Sequence, residues 1–229
     1  MSIYGQFCPI SKAAEVLGER WTLLLVRELL LGSKRFNELQ RGLTKMSPSL
    51  LTKRLKELEE ANLLARIKIS GQKGYEYHLT SSGRELFPLI IEMAKWGMKW
   101  VQDNIAEDEL DIELLMLDIQ RSLKIDKLPG KKVIVKFHIT DTTELSDWWV
   151  IVDNKNVDLC TDSPGDDADL YITGDAQSLI QTWMGDMDWR QAQKSNKVKV
   201  MGSEFLKKEM QNWLGASSLS EYNPKMMNA

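Results

Sequence analysis

The sequence predicts an α+β protein in which a largely helical first part precedes a part that contains a sheet. Through most of residues 10–100, apolar side chains recur at helical spacing. After Pro129-Gly130 they instead form short runs rich in Val, Ile and Trp, which are typical of strands. We expect two domains, at 1–105 and 127–229, joined by a helical linker at 106–126.

The composition is that of an ordinary globular protein, with 43% hydrophobic and 28% charged residues. No run approaches the roughly 18 apolar residues of a membrane span, and no secretory signal is expected. Two cysteines cannot form a disulfide framework. We therefore expect a cytoplasmic protein with no membrane contact.

Charge is divided unevenly along the chain. Residues 1–85 contain 14 Lys and Arg against 9 Asp and Glu, whereas residues 86–229 contain 16 against 24. A mildly basic part beside an acidic one indicates that only the first part binds a polyanion.

Three short helices are predicted near the start of the chain. The first ends at Gly18. The second spans Thr22–Leu31, followed by Gly32, a residue common in left-handed C-caps. The third covers Phe36–Gly42.

A fourth, longer helix begins at Ser47-Pro48, because Ser is a good N-cap and Pro fits the first helical position. A leucine stripe at Leu51, Leu55 and Leu58 faces inward. The opposite face carries two hydroxyl groups and two cations, from Ser49, Thr52, Lys53 and Lys56. Such a face suits a DNA groove, and a solvated charged face is the alternative.

A hairpin with basic residues follows this helix. Leu64–Ser70 and Tyr75–Thr80 read as strands separated by Gln72-Lys73-Gly74. Helices followed by a basic hairpin in this order predict a winged helix-turn-helix, with the fourth helix in the major groove and the wing beside the backbone. The expected phosphate contacts of the wing are Arg66, Lys68 and Lys73.

Separated motifs over about residues 6–103 resemble the HxlR family of bacterial and archaeal regulators. The matching runs are Cys8-Pro9-Ile10, Gly18-Glu19-Arg20-Trp21-Thr22, Arg27-Glu28-Leu29-Leu30, Arg35-Phe36-Asn37-Glu38-Leu39, Ser47-Pro48, Leu50-Leu51-Thr52-Lys53-Arg54-Leu55-Lys56-Glu57-Leu58-Glu59 and Tyr75, Tyr77, Leu79-Thr80 and Gly83. The resemblance implies a homodimeric regulator with a winged helix-turn-helix. Because a two-fold dimer presents two recognition helices, we expect it to bind a palindromic operator on double-stranded DNA. The complete set of candidate DNA-binding residues is Arg35, Ser47, Ser49, Thr52, Lys53, Lys56, Arg66, Lys68 and Lys73.

From Ser82 to about Asn104 the sequence predicts one long, unusually apolar helix. Its apolar residues cover more than the single stripe that one domain requires. We interpret it as a dimerisation helix, and a position enclosed under the second domain is the alternative.

The second half predicts strands near residues 133–139, 148–152, 157–160, 169–173 and 198–201. Helices are expected at 176–184, 189–193 and 203–214. Four segments resemble the sterol-carrier-protein-type-two fold: Trp149-Val150-Ile151-Val152, Asp169-Leu170-Tyr171-Ile172-Thr173-Gly174-Asp175, Trp183-Met184-Gly185-Asp186 and Val198-Lys199-Val200-Met201-Gly202.

The resemblance to the sterol carrier fold implies an apolar cavity. Candidate ligand-binding residues are Trp148, Trp149, Trp183 and Trp189, and a plain core role is the alternative. We expect no catalytic site, metal site or cofactor, since the sequence contains no HExxH, CxxC, GxSxG or phosphate loop.

The sequence thus predicts a transcriptional regulator, not an enzyme, controlled by an apolar small-molecule effector. One alternative is a carrier of lipids or other hydrophobic molecules. Another is a redox-sensing regulator that acts through Cys8, whose thiol Lys12 would activate; a structural thiol near the dimer contact is the other interpretation of Cys8.

Overall fold

A computed structural model describes residues 4–101 and 105–227. The chain divides into two compact units, residues 1–94 and 95–229. No helix in the described part of the chain is long and apolar enough to cross a membrane.

The first unit contains a helix-turn-helix core and a two-stranded hairpin. Its elements are α1 (Pro9–Leu17), α2 (Thr22–Leu30), α3 (Phe36–Gly42), α4 (Pro48–Glu60), β1 (Leu64–Lys68), β2 (Tyr75–Leu79), α5 (Ser81–Arg84) and α6 (Phe87–Trp100), the last of which crosses the boundary at residue 94. The core of this unit consists of Leu25, Val26, Leu29, Leu39, Leu43, Met46, Leu51, Leu55, Leu58, Leu64 and Leu79. The predicted leucine stripe of α4 is therefore buried.

The prediction of one long helix from Ser82 is wrong in one respect, because the structure contains two helices there, α5 and α6. Pro88 explains the break: it has no backbone N–H to donate to the preceding turn, and its ring clashes with that turn. The predicted end at Asn104 lies outside the described residues.

The hairpin has shorter strands than predicted. β1 and β2 pair antiparallel, with Arg66 opposite Tyr77, and residues 69–74 form the connection. Gly71 and Gly74 have φ values of +72° and +118°, a region that glycine occupies without steric cost.

The second unit combines one mixed sheet with helices. Its elements are α7 (Ile112–Ser122), β3 (Val133–Ile139), β4 (Asp147–Asp153), β5 (Asn156–Cys160), β6 (Leu170–Gly174), α8 (Ala176–Trp183), α9 (Trp189–Lys194), β7 (Val198–Gly202), α10 (Glu204–Lys208), α11 (Met210–Trp213) and α12 (Pro224–Met227). The strand order is β5-β4-β3-β6-β7, and only the β3–β6 pair is parallel. The single helix predicted at 203–214 is two helices, interrupted at Glu209.

One face of this sheet is covered by the core. Phe137 on β3 lies opposite Trp148 on β4, and Val135 lies opposite Val150. All four are buried in a cluster that also contains side chains of α7, α8, α9, α10 and α11. The alternation of buried residues on β3 and β4 follows from the two-residue period of a strand.

Candidate nucleic-acid interface

The outward face of α4 carries the residues expected to read DNA. Ser49, Thr52, Lys53 and Lys56 are all exposed, while the leucines of the opposite stripe are buried. Helical geometry places positions three and four apart on the same face, so the four side chains form one continuous surface.

The start of α4 is fixed by local hydrogen bonds. The Leu50 amide donates to Ser47 Oγ over 3.3 Å, as expected for an N-cap, and Pro48 occupies the first turn. Ser47 Oγ also lies 3.2 Å from Ser49 Oγ. Thr52 Oγ1 donates to the Pro48 carbonyl over 2.9 Å, which leaves its lone pairs able to accept.

The two lysines of this face make weak ion pairs along the helix. Lys53 Nζ lies 3.9 Å from Glu57 Oε1, and Lys56 Nζ lies 3.5 Å from Glu60 Oε1. Exposed pairs at this spacing contribute only about 0.3–0.5 kcal/mol. The lysines can therefore exchange these carboxylates for phosphates at little cost.

The hairpin adds a second basic surface. Lys68 and Lys73 are exposed, and the Arg66 guanidinium lies 3.6 Å from the ring centroid of Tyr75 on the facing strand. Stacking on an aromatic ring orders an arginine side chain while leaving the edge of its guanidinium open to an anion.

Arg35 joins the helical core to the hairpin. It is the N-cap residue of α3, and its Nη2 donates to Gln72 Oε1 over 3.3 Å. Its Nε lies 4.0 Å from Glu76 Oε1, and an isolated β-bridge pairs the same two residues. Arg35, a candidate DNA contact, therefore already has two partners in the hairpin, Gln72 and Glu76.

Two buried ionic groups inside the first unit were given no role by the sequence prediction. Glu28 on α2 is fully buried; its Oε1 accepts from Arg27 Nη2 over 2.9 Å, and Arg27 Nη2 also donates to the Gly42 carbonyl over 3.0 Å. Arg54 on α4 is also buried. It lies three positions after Leu51, so a charged residue on the leucine stripe was the signal available in the sequence.

Cys8 is the N-cap residue of α1 and is partly exposed. Its side chain makes no capping hydrogen bond of ordinary geometry, yet the nearby backbone amides of Ser11 and Ile10 lower the pKa of the thiol. Lys12, the residue expected to activate this thiol, has its Nζ 3.1 Å from Glu15 Oε2.

The candidate ligand-binding tryptophans of the second unit are all buried. Trp148 Nε1 donates to the Leu145 carbonyl over 2.8 Å, and Trp183 Nε1 donates to Asp118 Oδ2 over 2.6 Å. Trp189 lies in the same core as Trp183, whereas Trp149 projects from the other face of β4 and has the Lys136 ammonium 4.9 Å from its ring centroid. A ligand can reach Trp183 or Trp189 only from a cavity inside the core.

Exposed apolar side chains mark two helical segments. Phe7, two residues before α1, is 99% exposed, and Ile10 on α1 is 79% exposed. On α6, Trp96 is 61% exposed and Trp100 is 64% exposed. Single exposed apolar residues are common on protein surfaces, whereas contiguous exposed apolar patches mark interaction surfaces.

In the described residues no group of His, Cys, Asp and Glu has the geometry of a metal site. Each histidine has a carboxylate neighbour instead: His78 Nε2 lies 3.0 Å from Glu76 Oε2, and His138 Nδ1 lies 2.7 Å from Asp147 Oδ1.

Comparison with known proteins gives two family matches, one in each half. Residues 16–105 match the HxlR-like helix-turn-helix family, and residues 113–215 match the SCP-2 sterol transfer family. The HTH-type transcriptional regulator YvaP of Bacillus subtilis is 36% identical over 105 residues, which are 45% of this chain and 97% of YvaP. Rv3095 of Mycobacterium tuberculosis, another HTH-type regulator, is 40% identical over 93 residues, which are 40% of this chain and 58% of that protein.

A solved structure, the reduced form of the transcriptional regulator YodB from B. subtilis, is 30% identical over 44% of this chain and 100% of YodB, with a TM-score of 0.38. Each of these three relatives therefore matches less than half of the chain. By its match to YvaP and to the family model, the chain belongs to the HxlR-like helix-turn-helix family of transcriptional regulators, and it carries an SCP-2 sterol transfer family domain after the winged helix.

Proposed function

We propose that this chain is a dimeric, cytoplasmic transcriptional regulator that binds a palindromic DNA site through α4 and the hairpin, and whose second domain takes an apolar effector. The observation that carries the proposal is the outward face of α4, where two lysines and two hydroxyl side chains are exposed together. Cations on such a face neutralise phosphates, and the hydroxyl groups can bond to base edges.

A salt titration tests the DNA contacts. Genuine phosphate contacts release counterions, so the logarithm of the affinity falls linearly with the logarithm of the salt concentration. We expect Lys53→Ala and Lys56→Ala each to reduce this slope by about 1, without unfolding the chain. Lys194→Ala, an exposed lysine on α9 in the second unit, is the matched control and should leave the slope unchanged.

The remaining candidate contacts divide into two roles. Lys68 and Lys73 are expected to bind phosphates beside the groove, together with Arg66 held on Tyr75. Arg35 would bind a phosphate by exchanging its Gln72 and Glu76 partners for it. A flat salt dependence of the wild-type chain would contradict the whole assignment and favour a carrier of hydrophobic molecules.

The effector is proposed from the membership of the second domain in the SCP-2 sterol transfer family. An effector changes operator occupancy only if it binds one subunit arrangement better than another. Native mass spectrometry of the purified chain tests for a bound apolar molecule. If the chain, after incubation with a lysate that contains lipids and repurification, shows only the mass expected from its sequence, no apolar molecule is bound. That result would argue against this part of the proposal.

Redox sensing through Cys8 is the second candidate function, since its lowered pKa raises the thiolate fraction at a partly exposed helix N-terminus. Oxidation of Cys8 would then weaken DNA binding. A Cys8→Ser variant that keeps both the wild-type affinity and the wild-type response to peroxide or a quinone would exclude this mechanism.

A further inference from the structure

Arg54 is a buried cation in the middle of the helix proposed to enter the DNA groove. Its side chain is 8% exposed, whereas those of Lys53 and Lys56 are 66% and 77% exposed. A buried guanidinium is tolerated only when its N–H groups find acceptors. Arg54 therefore does not reach a phosphate without giving up its internal partners.

Those partners lie mainly in a different part of the chain. Arg54 Nε donates to the Arg20 carbonyl over 3.1 Å, and Nη2 donates to Glu19 Oε2 over 2.9 Å. The third contact joins Nη1 to Glu57, less than one turn further along α4. The guanidinium thus fastens α4 to the connection between α1 and α2, 34 and 35 residues earlier in the sequence.

This connection has an unusual backbone. Trp21, the N-cap residue of α2, has φ of +77°, in the left-handed region that a bulky residue occupies only under constraint. Such a conformation persists where the surrounding structure holds it in place. The carbonyl that Arg54 binds belongs to Arg20, immediately before this residue, so the same guanidinium orients α4 and holds the strained connection.

The surroundings of Arg54 do not form a ligand site. A cavity of only about 10 Å³ lies beside the guanidinium, room for about one water molecule. It is lined by Val16, Glu19, Thr22, Arg54, Glu57 and Leu58. An internal structural role therefore fits the geometry better than recognition of an effector.

We propose that Arg54 is a positioning residue for DNA recognition: through Glu19 and the Arg20 carbonyl it fixes the orientation of α4, and it does not itself contact DNA. The proposal rests on the proposed function of α4. It predicts that specific binding depends on the Arg54–Glu19 pair, because a rotated helix loses base contacts, while phosphate binding by the exposed lysines persists.

The experiment uses the full chain and a DNA duplex that the wild-type chain selects from a random-sequence library. Affinity for this duplex and for a scrambled one is measured from about 50 to about 200 mM KCl, at a temperature where circular dichroism shows each variant folded. Arg54→Lys and Glu19→Gln should each weaken binding to the selected duplex about tenfold, the cost of a lost base contact. Affinity for the scrambled duplex and the salt slope should stay unchanged.

The double variant should bind no more weakly than Arg54→Lys alone, because both substitutions break the Arg54–Glu19 contact. Lys53→Ala is the matched control on the same helix, expected to weaken both duplexes and to lower the salt slope by about 1. A lowered slope for Arg54→Lys would overturn the proposal by showing a phosphate contact. Unchanged affinities for both Arg54→Lys and Glu19→Gln would also overturn it, since a purely structural residue lowers only the melting temperature. Failure of the wild-type chain to bind any duplex would instead refute the proposed function itself.

Discussion

The α-carbon of Gly42 lies so close to the carboxylate of Glu28 that a β-carbon at position 42 would overlap both carboxylate oxygens. Glu28 is fully buried on α2, and Gly42 is the last residue of α3. Arg27 bridges the two, since it donates to the Glu28 carboxylate and to the Gly42 carbonyl. The absence of a side chain at position 42 leaves room for the Glu28 carboxylate, and Arg27, paired with it on α2, reaches α3 through the Gly42 carbonyl.

Gly42→Ala is therefore expected to destabilise the chain even though alanine favours helix. Overpacking a filled site costs about 1–3 kcal/mol, and displacing the Glu28 carboxylate from Arg27 adds to that cost. Urea unfolding followed by circular dichroism measures the change. Gly130→Ala is the control, because a β-carbon there meets open space and the φ angle is ordinary; an equal loss in both variants would contradict the assigned contact.

The second domain offers a test of whether Trp183 is held by its hydrogen bond to Asp118. Trp183→Phe and Asp118→Ala should each lower the free energy of unfolding, because a hydrogen bond to a charged group contributes about 1.5–3 kcal/mol. The double variant should lose less than the sum of the two single losses. Strict additivity in this double-mutant cycle would show that the two side chains do not interact.

Sequence periodicity could predict most of the helices and strands, but not the partners of the buried charged side chains. The leucine stripe placed the inner and outer faces of α4, and Ser47-Pro48 placed its start, because both signals are local. The signal for the break between α5 and α6, the proline at position 88, was also local, so the break could have been predicted. The partners of Arg54 and Glu28 could not, since they depend on tertiary packing between residues distant in sequence.

The thiol of Cys8 should react at lower pH than the same thiol in the unfolded chain. Amides of Ser11 and Ile10 at the start of α1 stabilise the thiolate, which lowers the pKa below the ordinary value of 9.0. Iodoacetamide alkylation in a Cys160→Ser background, followed by mass spectrometry as a function of pH, gives the titration curve. Urea-unfolded protein provides the reference, and coincident curves for the two states would show that the helix N-terminus has no influence.

The exposed apolar residues of α1 and α6 should form the contact with a second copy of the chain. We expect Ile10→Glu and Trp96→Glu to halve the molar mass in sedimentation equilibrium, because an interface that buries an unpaired carboxylate loses several kcal/mol. Met201→Glu is the matched control, an equally exposed apolar residue on β7 of the second unit. If Met201→Glu alone dissociated the protein, the subunit contact would lie on the sheet edge instead.

Dissociation should also weaken DNA binding by far more than the loss of one contact. Two recognition helices in a two-fold dimer reach half-sites roughly 34–36 Å apart, and binding of the first raises the effective concentration of the second. Monomeric variants would keep the salt dependence of one helix and lose the preference for a palindrome. A monomeric variant that still distinguished the palindrome from a single half-site would show that α6 serves another purpose.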